Sequence, residues 1–264
     1  KYQPDGIINF AAESHVDNSI LGPKIFIETN ILGTFTLLEC ARKFTSDIPE
    51  NERDKFRFLH VSTDEVFGEL DKLDSKFNET TNYAPNSPYS ASKAASDLLA
   101  RAWNKTYSLP VIITNCSNNY GPRQFPEKLI PRIIVSALAG KELPVYGLGE
   151  NIRDWIHVED HCRGVLLAYE NGIVGQSYCF GGNSERRNID VVNSICKQLD
   201  RIKPRKTGSY LEQIRFVTDR LGHDFRYAID DSKAIKELNF VRRFNSFEEG
   251  LESTIHWYLN NELW

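Results

Sequence analysis

Apolar residues along this chain recur in two rhythms that alternate, short β-branched runs and longer stretches spaced as on a helix. The short runs at residues 6–10, 58–62, 111–116 and 177–180 predict buried strands. In residues 23–43, Phe26, Ile27, Asn30, Ile31, Thr34, Leu37, Leu38 and Ala41 share one helical face. Pro23 suits the first turn of that helix and Lys43 the last. Residues 90–106 carry a second stripe of Ala94, Ala95, Leu98, Leu99 and Ala102, and further helices are predicted over residues 133–139, 189–199, 232–238 and 247–260. Strands alternating with helices imply an α/β fold, a doubly wound parallel sheet with crossover helices. The polar, turn-rich tract at residues 67–88 predicts a surface loop arching over the sheet edge as a lid. Asn118-Asn-Tyr-Gly-Pro122 breaks the pattern, and the main boundary is set there. The first domain is then residues 1–121 and the second, smaller α/β domain residues 122–264, with some segments of the second returning to the first.

The strand at residues 58–62 runs into Ser62-Thr-Asp-Glu65, so Thr63, Asp64 and Glu65 fall at its carboxyl end, the edge where open α/β sheets bind ligands. Further on comes Tyr89-Ser-Ala-Ser-Lys93, with Tyr89 and Lys93 one helical turn apart on one face. An ammonium beside a phenol favours the phenolate, which makes a base of a group inert at neutral pH. Two adjacent carboxyls whose surroundings push their pKa values apart supply an acid and a base. Either piece alone has a plainer reading, a chance helical pair or a carboxylate-rich helix start. Their joint position at a strand end points instead to oxidation and elimination in one pocket.

Composition narrows the partner to a small molecule. With 264 residues, 41% hydrophobic and 26% charged, the chain can bury a sizeable core. A net charge of -4 with no polybasic block gives no footprint for nucleic acid or for an anionic membrane. No apolar run is long enough to span a bilayer. Five cysteines without CxxC spacing, mostly in apolar runs, are expected to be reduced core thiols of a cytoplasmic protein. The six His are scattered, so no metal site is expected. The chain has no methionine and opens almost at once on a strand, so residues preceding Lys1 are expected.

Taken with the two site runs, Phe10-Ala-Ala-Glu-Ser-His-Val-Asp17, Asn118-Asn-Tyr-Gly-Pro122, Phe125-Pro-Glu-Lys-Leu-Ile-Pro131, Arg153-Asp-Trp155 and Asp219-Arg-Leu-Gly-His-Asp224 make a specific set. The chain resembles the dTDP-glucose 4,6-dehydratase family of extended short-chain dehydrogenases/reductases, nearly from Lys1 to Trp264. The resemblance implies an incomplete Rossmann-type sheet, NAD as cofactor and dTDP-glucose as substrate, converted to a 4-keto-6-deoxy sugar nucleotide with loss of water. It gives Tyr89 the proton of the sugar 4-hydroxyl, with Lys93 lowering the phenol pKa and holding the nicotinamide ribose. Thr63 holds the 4-oxygen, Glu65 removes the C5 proton and Asp64 protonates the departing 6-hydroxyl.

By the same resemblance, Ala11, Ala12, Glu13, Ser14, Thr29, Tyr89, Lys93 and Asn119 surround the nicotinamide half of NAD. The substrate falls to His15, Thr63, Asn118, Lys128, Leu129, Pro144, Val145, Tyr146, Arg153, Asn188, Asp219, Arg220, Leu221, Gly222 and His223. Among these Arg153 best suits a diphosphate, because its fork matches phosphate oxygens. The resemblance also implies a homodimer, in which residues 23–43 and 90–106 of two copies form a four-helix bundle.

Three departures stand out. No GxGxxG occurs, and Gly147-Leu-Gly149 follows the wrong segment and is read as a turn, so the pyrophosphate grip and the acidic partner of the adenosine ribose are missing. NAD binding by these residues alone is expected to be weak or absent. Asn18 stands where many relatives have Arg, and Leu221 where Pro is usual, which alters the diphosphate end. A UDP-glucose 4,6-dehydratase or UDP-sugar 4-epimerase shares the fold, but an epimerase needs no acid-base pair for elimination. Thymine and uracil are not distinguished. The reading from another class is an inactive truncated fragment, or a subunit completed by a partner, against which the intact Tyr89, Lys93, Asp64 and Glu65 argue.

Overall fold

The computed structural model describes residues 3–244 and 246–261; residues 1, 2, 245 and 262–264, and with them the outer ends of both expected domains, lie outside the described residues. In chain order the strands are β1 Gly6–Asn9, β2 Arg57–Thr63, β3 Val111–Cys116, β4 Asn118–Tyr120, β5 Leu143–Tyr146, β6 Ile152–His157, β7 Ser177–Phe180, β8 Glu185–Arg187 and β9 Ile214–Val217. The largest sheet is wholly parallel, in the order β1, β2, β3, β7, with Phe58 beside Val111 and His60 beside Ile113.

Both faces of this sheet are covered. Phe58, Val111 and Ile113 pack with Leu38 and Ala100 from the helices Gly33–Asp47 and Pro88–Tyr107. Leu59, Val61 and Ile112 pack on the other face with Val165, Ala168, Ala234 and Leu238 of the helices Val158–Asn171 and Ser232–Leu238. Burial on both sides is why these strands read as nearly unbroken apolar runs. Each Phe or Leu so buried contributes about 2 kcal/mol. A separate core joins Ile130, Ile133, Leu143, Val145, Val192, Ile195, Leu251 and Ile255, all from the later part of the chain. The smaller sheets are β4-β6-β8 and β5-β9.

Several expectations change in detail. The first long helix runs on to Asp47, and its early part, Ile27–Leu32, is a π-helix. The helix expected at residues 133–139 spans Leu129–Leu138, because Pro131 sits in the first turn, where no intrahelical N–H is needed. The break expected at Asn118 holds the short strand β4 instead, parallel to β6. The tract at residues 67–88 is not a free lid. Leu70 and Phe77 are buried, bridges join Leu70 to Arg226 and Phe77 to Ile229, and Arg226 Nη1 donates to the carbonyls of Asp71 and Asp74. All five cysteines are free, but only Cys116, Cys179 and Cys196 are buried; Cys40 and Cys162 are exposed because they lie on the outward faces of their helices. Among the described residues no helix is long and apolar enough to cross a membrane.

Candidate active site

The carboxyl ends of β1, β2 and β3 converge on one cavity of about 390 Å³, closed on its far side by residues of the later core. At the end of β2 the chain tightens into the 3₁₀ turn Asp64–Phe67, capped by Thr63, whose Oγ1 accepts from the Glu65 N–H at 3.3 Å. Thr63 is tied to the neighbouring strand by Asn115 Nδ2, which donates to its carbonyl at 3.0 Å. The turn turns Asp64 inward, fully buried, with Oδ2 lacking any partner. Burial first, then Glu65 and Asp154, raises its pKa well above the carboxylate range. Glu65 is half-buried; burial raises its pKa, while Arg220, Lys128 and Arg153 pull it back. Burial thus pushes Asp64 toward its protonated form, while three cations restrain the same push on its neighbour, the pairing that supplies an acid and a base.

Tyr89 opens the helix Pro88–Tyr107, whose start is fixed by Ser87 and Ser90 in a capping box and by Pro88 at the first position. The phenol faces Thr63 and Glu65. Here the structure differs from the expectation of a phenolate made by Lys93. Burial, then Glu65 and Cys116, raises the Tyr89 pKa well above its usual value, and only Thr63 counters. Lys93 is buried behind the cavity and donates to Val61 O at 2.7 Å. Burial lowers its pKa, with Asp97 and Cys116 opposing.

Beside β1, Ala11 is exposed and Ala12 partly so, leaving open backbone at the strand end. Asn30, in the π-helical turn, clamps the following segment by accepting from Glu13 N at 2.8 Å and donating to Glu13 O at 3.0 Å and Ser92 Oγ at 2.8 Å. Beyond β3, Asn119 meets His161 Nδ1 at 2.9 Å, and burial lowers the His161 pKa to about 4. Ser117 Oγ and His161 Nε2 are buried without partners. Small residues, open backbone and these idle polar atoms fit the nicotinamide half of NAD. For its pyrophosphate the sequence offers no glycine-rich turn.

Of the residues singled out from sequence, Ser14, His15, Thr63, Asp64, Glu65, Tyr89, Asn118, Asn119, Lys128, Leu129, Pro144, Val145, Tyr146, Arg153, Asn188, Arg220 and His223 line the cavity. Ala11, Ala12, Glu13, Thr29, Lys93, Asp219, Leu221 and Gly222 do not; Leu221 is 77% exposed, and Asp219 instead holds His223 Nδ1 at 2.7 Å. Arg153 is buried, gives Nη donors to the carbonyls of Ile152, Asp224 and Phe225, and stacks 4.2 Å from the Tyr227 ring centre. Part of its fork is therefore already engaged. Asp17, Ser117, Trp155, Val192 and Tyr227 also line the cavity and were not singled out. Asp17 and Trp155 stand inside quoted motifs, so a signal existed; Tyr227 arrives just after Arg226, which bridges to Leu70 and Ile152, and has none. Asp64 Oδ2, Ser117 Oγ, Asn118 Oδ1, Asn188 Oδ1 and Arg220 Nε are buried without partners, an unusual density that a polar ligand would satisfy.

A parallel α/β sheet carrying the Thr63–Glu65 turn and the Tyr89–Lys93 pair at its carboxyl edge defines a Rossmann-type enzyme of the short-chain dehydrogenase/reductase class. The family model described as GDP-mannose 4,6 dehydratase matches residues 1–254. The dTDP-glucose 4,6-dehydratase of Xanthomonas campestris pv. campestris is 58% identical over 100% of the chain, which covers 75% of that protein. The Salmonella typhimurium enzyme of the same name is 55% identical, again over 100% of the chain and 75% of the relative. The structure of DesIV, a dTDP-glucose 4,6-dehydratase from Streptomyces venezuelae with NAD and TYD bound, superimposes with a TM-score of 0.87 at 45% identity, covering 98% of this chain and 74% of that one. The chain belongs to this family of sugar-nucleotide 4,6-dehydratases.

Proposed function

We propose that the chain dehydrates dTDP-glucose to dTDP-4-keto-6-deoxyglucose, with NAD as a cofactor that ends the cycle unchanged. The observation that carries this is Asp64 and Glu65 side by side in one buried turn, differently tuned and facing Tyr89 and Thr63 in a cavity of unsatisfied polar atoms. Bound NAD supplies the two-electron acceptor and donor that lets oxidation at C4 be undone at C6, and Ala11, Ala12, Glu13, Ser14, Thr29, Tyr89, Lys93 and Asn119 would hold it. Thr63 and Tyr89 bind the 4-oxygen, and Tyr89, whose pKa burial raises, would take its proton with the positively charged nicotinamide ring of NAD beside it to favour the phenolate. Glu65 then removes the acidified C5 proton and returns one to C5 when C6 is reduced. Asp64, protonated beforehand by its burial, gives its proton to the departing 6-hydroxyl. Arg153, Lys128 and Arg220 answer the diphosphate.

In this reading residues 1–121 serve the cofactor side, and residues 122–264 mainly the sugar nucleotide, with β7 and the helices Val158–Asn171 and Ser232–Leu238 returning to the large sheet. The free cysteines support a reducing, cytoplasmic setting. An exposed apolar stripe on the first two long helices supports a homodimer. The acid and base at positions 64 and 65 favour dehydration over 4-epimerisation, which has no use for them.

Incubation with dTDP-glucose and NAD should yield the 4-keto product that absorbs in alkali. Turnover of UDP-glucose in its place would reassign the nucleotide. Glu65→Gln should abolish deuterium uptake from solvent at C5; normal uptake would remove Glu65 from the role.

A further inference from the structure

Three side chains that the family resemblance sets on the sugar nucleotide are engaged here by one short strip of the cavity wall. Lys128 Nζ donates to the Ser14 carbonyl, Tyr146 Oη donates to Asp17 Oδ2 at 3.2 Å, and Arg220 Nη1 reaches Asp17 Oδ1 at 3.5 Å. All five residues line the same cavity. Asp17 accepts two of the three contacts, yet a carboxylate is the wrong charge to keep beside a diphosphate. At such separations two anions repel enough to change affinity severalfold. The Arg220 contact is long, and Nε of the same guanidinium is buried without a partner. Its fork is therefore only partly used, and paired phosphate oxygens would satisfy it better than one carboxylate oxygen.

We propose that Asp17 is a placeholder for the diphosphate: its carboxylate holds Arg220 and Tyr146 across the cavity until the diphosphate of a nucleoside diphosphate or its sugar ester displaces it from Arg220. Binding then spends part of its free energy on breaking the Asp17 contacts, and the returning carboxylate assists product release. The inference rests on the proposed function only in taking a nucleoside diphosphate as the ligand.

The test is calorimetric titration of the whole chain with dTDP, which needs neither NAD nor turnover. Asp17→Asn keeps the shape and a partner for Tyr146 while removing the charge, and should tighten dTDP binding about five- to tenfold. Arg220→Gln should weaken binding, and adding Asp17→Asn to it should give a smaller gain than in the parent chain. Asp17→Ser, expected to show the same gain, serves should the amide variant fail to fold by circular dichroism. Equal or weaker binding by a folded Asp17 variant overturns the placeholder and makes Asp17 a holder of Arg220. A parent chain that takes up no dTDP overturns the proposed function itself, a result distinct from the former.

Discussion

At the scale of single residues, the site is governed by how burial tunes two adjacent carboxyls. Asp64 has its pKa raised above the unfolded value of about 3.9. A group of that kind adds stability in full only below its unfolded pKa, and the contribution is lost as pH climbs through the folded value. Asp64→Asn, neutral at every pH, should therefore match the parent chain near pH 4 and melt at a higher temperature than it at pH 8. A melting difference that does not grow with pH would mean that Asp64 is ionised in the folded chain. The same variant should lose water elimination by about 10²- to 10⁴-fold, the usual worth of a positioned acid, while C5 exchange persists. That these residues would meet in one cavity was legible because they sit at a strand end. What was not legible is the environment of Tyr89, since helical spacing predicted a neighbouring ammonium but not that Lys93 Nζ would be spent on Val61 O. Nor did local sequence announce Tyr227, which lines the cavity from a segment far along the chain.

Elements position these groups, and the π-helical turn Ile27–Leu32 shows how. Six residues are too few for apolar spacing to separate a π turn from an α turn, so the widened turn could not be foreseen. Its consequence is that buried Asn30 makes three hydrogen bonds, to both backbone groups of Glu13 and to Ser92. It thereby fixes the segment after β1 against the helix that carries Tyr89. At about 0.5–1.5 kcal/mol per bond, Asn30→Ala should cost roughly 2–4 kcal/mol. For a chain of this size that lowers the melting temperature by about 5–10 °C. Calorimetric melting checks it, and a fall within a degree would show the clamp to be idle. The buried strands β2 and β3 were read correctly because both their faces are covered. β5, β8 and β9, of four residues or fewer and carrying Pro144, Arg186 or Arg215, gave no period to read.

For the whole molecule, the sheet accounts for the inner faces of the helices and leaves an outer one. On the first long helix Ile25, Leu32 and Phe35 are exposed, and on the helix Pro88–Tyr107 Leu98 is 56% exposed between exposed Ala91 and Ala102. Apolar residues seven, three and four apart make a stripe along each helix, and a pair of such stripes is the self-complementary patch that a two-fold dimer buries. A stable interface needs roughly 800 Å² from each partner, which two helices of this length can offer. Light scattering at micromolar concentration should give twice the chain mass of 30.3 kDa. Leu32→Glu combined with Leu98→Glu places four carboxylates in the centre of that interface, where none has a partner, and should yield a monomer. Neither residue lines the cavity, so affinity for dTDP should be unchanged in the monomer. A parent chain that scatters as a monomer, or a doubly charged variant that still pairs, would mean that this stripe is covered by something other than a second copy.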